Sequence, residues 1–358
     1  MAGTKRVNLA LQGGGSHGAF GWGVLDLLAE DGRLDIEGLS ATSAGSINAA
    51  VYAYGRMCGG NEGAREALEH FWHKVSEAGA LYSPVRRMPW ESESSWNPSI
   101  SPAFLMFESL TRTLSPYQFN PFNFNPLRET LAASVDFARL VECDCVELFV
   151  SATNVRSGQV RVFRNHEMTL DAVLASACLP LLFHAVEIDG EHYWDGGYMG
   201  NPALFPLFYH TRSRDVVIVH INPIVRPALP VTAPEIQNRL NEVTFNSSLL
   251  RELRVVAFVT KLIEEGWLKD EYRDQLKHVL IHSIRADEEM CRLSVATKFY
   301  TDWAFLCQLR DLGREAAARW LEDNFDYLGK RSTVDLRKEY LDVPVFGPPP
   351  PARKAARG

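Results

Sequence analysis

A chain of 358 residues with 44 acidic and 37 basic side chains has a formal charge of −7. That balance argues against a nucleic-acid partner, which would require a basic face to neutralise phosphates. The length suits one large α/β domain with an appended region, or two domains, and no apolar run approaches the roughly 18 residues of a bilayer-spanning helix.

The start, MAGTKRVNLALQGGG, passes from a few charged residues into an apolar strand, without the apolar core and cleavage site of a signal peptide. A cytoplasmic protein is the expectation. The six cysteines, at 58, 143, 145, 178, 291 and 307, are too few for a disulfide scaffold. Cys143 and Cys145 have no second pair at zinc-site spacing, so reduced, mostly buried thiols and no metal site are expected.

Residues 6–12, RVNLALQ, read as a buried strand, followed by a glycine turn and a helix from about Ala19 to Glu30. A second strand, GLSAT, runs up to Ser43, and a helix of small residues, AGSINAAVYAYG, is expected to stop at Gly55. From Pro84 to Pro126 seven prolines and eight aromatics should break up any long regular element. This insertion reads either as an apolar mouth containing Phe119, Phe122 and Phe124 or as a loop folded over the core.

Regular texture resumes with VELFVSATNV, a hairpin signal at Ser157-Gly158, and the helix LDAVLASACLP. The strand DVVIVHIN, 215–222, is apolar enough to be buried on both faces of a largely parallel sheet. Residues 234–343 read as a helical C-terminal region, and 344–358, ending GPPPPARKAARG, as a disordered tail. The apolar stripe over 235–265 could meet core, lipid or a second subunit, which leaves a homo-oligomer open.

Gly13, Gly15 and Gly18 form a G-x-G-x-x-G behind the first strand, so the loop could hold the pyrophosphate of a dinucleotide. Asp35 and Glu37 stand at nearly the right count for a ribose contact, but they precede the second strand rather than ending it. The end of that strand instead reads SATSAGS. Ser43 lies there between a strand and a helix, in the context of a G-x-S-x-G nucleophile elbow with Ala41 in the place of the first glycine and Gly45 in that of the second. Backbone N–H groups of Gly13, Gly14 and Gly15 would suit an oxyanion hole, each donor worth about 3 to 4 kcal/mol by analogy with measured cases.

A serine nucleophile requires a proton acceptor. The remaining chemical signal is EIDGEHYWDGGYMGNP, where Asp195 precedes Gly196 and Gly197; taken alone, Asp-Gly is commonly a plain turn. His184, His192, His210 and His220 lie near or after it, and none has a motif coupling it to the elbow. Ser176 reads as a helix-end cap and Cys178 as a buried small residue.

In QGGGSHG, ATSAGS, ASACLPLLF and DGG, in this order and spacing over roughly residues 6–225, the chain resembles the patatin-like phospholipases. The resemblance implies a three-layer α/β/α sandwich with a central, mostly parallel sheet, and a catalytic domain over 6–225. It implies Ser43 as nucleophile, Asp195 as general base, Gly13, Gly14 and Gly15 as oxyanion donors, and an acyl-enzyme route that uses no metal or cofactor. His17, Gly18, Ala41, Gly45, Gly196 and Gly197 are the supporting motif. The implied substrate is a lipid ester or phospholipid, met through transient peripheral membrane contact. His17 stands where the family often carries Arg or Lys, so any positive charge there would depend on pH. The competing readings are a dinucleotide-binding oxidoreductase and a catalytically silent lipid-binding or scaffold protein.

Overall fold

The structure, a computed structural model, describes residues 3–83, 85, 98, 101–269 and 276–341. Part of the 84–126 insertion and the whole 344–358 tail lie outside the described residues. The strands are β1 (Lys5–Leu11), β2 (Leu34–Thr42), β3 (Glu147–Asn154), β4 (Val160–Arg164), β5 (Val186–Ile188), β6 (Glu191–Asp195), β7 (Asp215–Val219) and β8 (Leu280–Ile284). They form one sheet in the order β5-β6-β3-β2-β1-β7-β8, with β4 paired to β3. The stretch from β3 to β8 is parallel, and β4, β5 and β6 run antiparallel to their partners.

Strand side chains alternate between faces, and both faces are buried. On β1 and β7, Val7, Leu9, Leu11, Val217 and Val219 enter one core, while Ala10, Val216 and Ile218 enter another. The first core lies under helices 18–31, 44–82 and 303–324; the second lies under the Ala233–Glu264 helix, through Leu249, Leu253 and Val256. This is the expected three-layer α/β/α arrangement.

Several local expectations change. β2 starts at Leu34, so Asp35 and Glu37 are inside the strand rather than ahead of it. The helix opening at Ala44 does not stop at Gly55; helical geometry fails only at Gly59 and Gly60, after which a second helix continues to Tyr82. Gly55 serves the packing of these two helices, since a Cβ there would meet the Gly63 carbonyl at 2.4 Å. Within the proline-rich insertion, Pro102–Thr113 is a regular 12-residue helix, its proline placed in the first turn where no N–H partner is lost. The C-terminal region is mostly helical, but it also supplies β8, which extends the sheet beside β7.

The long Ala233–Glu264 helix is two-faced: Leu253 is fully buried and Phe258 is 60% exposed. Leu253→Ala is expected to lower stability by about 2–5 kcal/mol, the usual range for a truncated core leucine. Phe258→Ser should stay within about 0.5 kcal/mol. Urea denaturation of the two variants checks both values.

Candidate active site

β3 brings together two segments that lie far apart in the chain. On one side Thr42, the last residue of β2, stands opposite Ser151; on the other, Asp195, the last residue of β6, stands opposite Ala152. Ser43 and Asp195 therefore leave the sheet at adjacent rungs of one strand. Both border a single cavity of about 590 Å³.

Ser43 sits at φ 54°, ψ −125°, a backbone conformation that non-glycine residues seldom adopt. The turn redirects the chain from β2 into the helix that begins at Ala44, whose N-terminal dipole favours negative charge beside the hydroxyl. The Ser43 N–H donates to Ser176 Oγ at 2.9 Å, so Ser176 holds the elbow rather than merely ending a helix. Ala41 is fully buried in the core, and its methyl is accommodated there. Gly45, in the first turn of the helix, lies against the Leu11 and Gln12 carbonyls.

The glycine loop meets the elbow from β1. A Cβ on Gly13 would fall 2.5 Å from that of Ser43, so only glycine fits. The Gly13 N–H, expected to face an oxyanion, donates instead to Asn201 Oδ1 at 2.7 Å. The Gly13 carbonyl accepts from Asn222 Nδ2 at 2.8 Å, and Gln12 Oε1 accepts from the backbone N–H groups of Ile221 and Asn222. Gly14 and Gly15 border the cavity, and their amides have no acceptor among the described residues.

His17 departs from expectation. It is buried, and Nε2 lies 2.7 Å from Thr297 Oγ1. The Thr297 hydroxyl donates to the Ser294 carbonyl, so the ring N–H donates to Thr297. Burial, and secondarily the Lys298 cation, hold the His17 pKa well below its usual value, so the imidazole carries no charge near neutrality. The cation beside the loop is Lys298. Gly18 opens the first helix, its carbonyl accepting from Asn48 Nδ2.

Asp195 has no exposed surface. Its main chain is fixed by the Cys178 carbonyl, which accepts its N–H at 2.7 Å, and by Thr153 Oγ1, which donates to its carbonyl at 2.8 Å. Gly196 and Gly197 form a tight turn after it, and the Gly197 N–H donates to Oδ1 at 2.7 Å. Oδ2 has no hydrogen bond of normal geometry to any described residue, although Ser43 is near enough to favour the ionised form. Burial raises the pKa to about 7, against the opposing pull of the Gly197 N–H, Ser43 and Lys298.

Apolar side chains dominate the cavity wall, among them Phe71, Trp72, Leu127, Leu182 and Phe183. Of the three phenylalanines singled out in the insertion, Phe119 and Phe124 line it, whereas Phe122 is 94% exposed and does not. The four histidines lie elsewhere: His184 stacks on Tyr117, His192 is near Glu187, His210 stacks on Phe149, and His220 bonds Tyr340. Asp35 is paired with Arg6 and Arg56, and Glu37 accepts the backbone N–H groups of Arg212 and Ser213, so neither is placed for a ribose. Among the described residues no cluster of His, Cys, Asp and Glu could hold a metal ion, and no helix is long and apolar enough to cross a membrane.

Sequence reading missed the amides around Gly13 and the C-terminal contribution of Asn241, Phe245 and Lys298, all three of which line the cavity. Gln12 and Asn201 stand inside the QGGGSHG and EIDGEHYWDGGYMGNP segments but carry no signal of their partners, while Asn222, Asn241, Phe245 and Lys298 lie outside those segments at no distinguishing spacing.

A buried carboxyl with one bare oxygen costs stability when it ionises. An unfolded aspartate loses its proton near pH 3.9, so the native state, which holds it to about pH 7, carries a penalty that grows between these values and is complete above 7. Asp195→Asn is therefore expected to raise the melting temperature more at pH 8 than at pH 5. Calorimetry at the two pH values checks this.

The family model described as patatin-like phospholipase matches residues 9–208. No curated protein matches the chain. Among solved structures the chain is similar to VipD from Legionella pneumophila, at 14% identity and TM-score 0.34, covering 94% of this chain and 73% of that one. It is similar to the type III effector protein ExoU at 16% identity and TM-score 0.33, covering 90% and 54%. Full-length ExoU in complex with SpcU from Pseudomonas aeruginosa gives 14% identity and TM-score 0.31, with coverage of 88% and 53%. The chain thus spans about half the length of ExoU. With the family model covering more than half of its length, including the glycine loop, the elbow and Asp195, the chain belongs to the patatin-like phospholipases, a family of lipid ester hydrolases.

Proposed function

We propose that the protein cleaves fatty acyl esters of lipids through an acyl-enzyme on Ser43, with Asp195 as general base. The observation that carries this reading is the pairing of a strained elbow serine with a buried carboxyl whose Oδ2 has no hydrogen bond of normal geometry among the described residues and which Ser43 helps to ionise, both on the wall of an apolar cavity.

Asp195 takes the Ser43 proton as Oγ attacks the acyl carbonyl. The resulting oxyanion is met by the amides of Gly14 and Gly15, each worth about 3 to 4 kcal/mol at the transition state. Collapse breaks the C–O bond to the alcohol, which leaves with the proton from Asp195. Water, deprotonated by the same carboxylate, then attacks the acyl-enzyme; collapse breaks the bond to Ser43 Oγ, which regains the proton from Asp195, and frees the fatty acid. The base has a pKa of about 7, close to the range in which a general base works best near neutrality. Gly13 serves as the fixed hinge of the loop, its own N–H engaged by Asn201.

The acyl chain occupies the cavity, whose volume is typical of a site for a molecule of this size. Leu81, Tyr82, Met106, Phe124 and Leu181 are exposed, and Tyr82 and Phe124 belong to the cavity wall. These side chains suit transient peripheral contact with a lipid surface at the mouth.

A fluorophosphonate probe should label the wild type and fail on Ser43→Ala. Asp195→Asn should lower kcat/KM by about 10²–10⁴-fold, the usual contribution of a general base. Because the base must be ionised, kcat/KM should rise with pH through an apparent pKa near 7; a flat profile from pH 5 to 9 would remove Asp195 from the role. The double change Phe119→Ser and Phe124→Ser should depress hydrolysis of a long-chain ester several-fold more than that of a butyrate ester, measured as the ratio of the two kcat/KM values.

A further inference from the structure

We infer that Cys143 and Cys145 form a redox site, at which hydrogen peroxide oxidises the two thiols to an intramolecular disulfide that a dithiol reductant opens again. Neither residue borders the cavity that holds Ser43 and Asp195, and the inference is independent of the hydrolytic reading.

The pair occupies the Cys-Asp-Cys turn between the Phe137–Leu140 helix and β3. Both thiols are free, and their sulfurs lie 2.8 Å apart. Two thiolates sharing a tetrahedral zinc, with bonds of about 2.3 Å, would stand roughly 3.8 Å apart. A disulfide brings its sulfurs to about 2.05 Å. The observed separation is nearer the second, so the pair is placed for a sulfur–sulfur bond rather than for chelation.

The turn is held in this shape from both ends. The Cys143 N–H donates to the Leu140 carbonyl at 3.0 Å, and Asn165 Nδ2 donates to the carbonyls of Cys143 at 3.0 Å and Val146 at 2.9 Å. Asn165 is itself fixed, because its Oδ1 accepts the Leu148 N–H at 2.7 Å. A backbone ordered before the reaction removes much of the entropy cost of closing so small a ring. The size of the ring also indicates its use. A disulfide stabilises chiefly through the loop it closes in the unfolded chain, and a loop this short is constrained very little. Without that gain the bond is no structural staple and stays open to exchange with a dithiol.

The two thiols are unequal. The Cys145 S–H, against burial and with help from the backbone N–H groups of Cys145 and Val146, draws the Cys143 thiol below its usual range. The same contact, and then burial, holds the Cys145 thiol above it. Cys143 is thus the thiolate and Cys145 the partner that keeps its proton, as attack and resolution require. Burial instead raises the thiols of Cys178, Cys291 and Cys307. Cys143 is buried and Cys145 partly exposed, which suits an oxidant as small as peroxide. The Cys143 thiolate attacks one peroxide oxygen, the O–O bond breaks, and the departing hydroxide becomes water with the proton that Cys143 had released. The sulfenic acid then condenses with Cys145: the S–S bond forms, the S–O bond breaks, and the Cys145 proton leaves with the hydroxyl as a second water. Two thiols are oxidised by two electrons and one peroxide is reduced to two waters.

The test is tryptic mass spectrometry of the full-length wild-type protein, exposed while folded to a few-fold excess of hydrogen peroxide and then unfolded and alkylated. Residues 140–156 form one tryptic peptide with both thiols, and Cys58, which is exposed, lies in another and serves as the internal reference. The 140–156 peptide should lose two hydrogens and take no alkyl group, at a rate at least ten-fold above the oxidation of Cys58. Dithiothreitol should restore two alkylatable thiols. Cys145→Ser should stop Cys143 at the sulfenic acid, captured by dimedone at least ten-fold more than in the wild type. Oxidation of the pair no faster than that of Cys58, or its conversion to sulfinic or sulfonic acid without a disulfide, would overturn the proposal on the wild type alone. Zinc that co-purifies with the protein and shields the pair from peroxide until a chelator removes it would overturn the proposal in favour of a metal ligand set. A folded Cys145→Ser protein in which dimedone captures nothing would overturn Cys143 as the attacking thiol.

Discussion

A carboxyl group buried beside Ser43, with one oxygen held by a main-chain amide, governs how this molecule is arranged. Asp195 Oδ2 accepts no hydrogen bond of normal geometry from the described residues, and the group has no exposed surface although it borders the cavity. Its main chain is held at both ends, by the Cys178 carbonyl and by Thr153, and a single amide, that of Gly197, stabilises the ionised form directly. The result is a proton affinity balanced near neutrality by burial on one side and three favourable interactions on the other. A more generous set of donors would make a weaker base; fewer would leave a neutral acid.

That balance needs all three layers. β3 sets the spacing between elbow and acid, and both strands beside it are locked by ladders. The layer contributed by residues 233–264 presses Phe245 against Gly197 and places Asn246 beside Gln12, while the 295–299 turn closes the glycine loop through Thr297. The C-terminal third of the chain is thus part of the site, and it reaches into the sheet through β8.

How far the sequence revealed this follows from how local each signal is. β1, the glycine turn and the first helix are contiguous, and their apolar pattern and glycines reveal them directly. The elbow was legible only together with the glycine loop one strand away, because a serine at a strand-to-helix junction taken alone is equally a helix N-cap. Gly55 misled because a glycine stops a helix and admits a close neighbour equally well, and only the neighbour at Gly63 distinguishes the two. Pro102 misled in the opposite sense, since a proline in the first turn begins a helix. β8 was hidden in a helical stretch as five residues, too short for periodicity to separate strand from helix. The amides around Gly13 and Lys298 were invisible because their meaning lies wholly in partners some 60 to 230 positions away.

The backbone at Ser43 also decides which alcohol can stand there. Threonine would offer the same hydroxyl, but its branched Cβ is strongly disfavoured at a φ of 54°. Secondary alcohols are thereby barred from this position by the shape of the main chain, before any question of their reactivity arises.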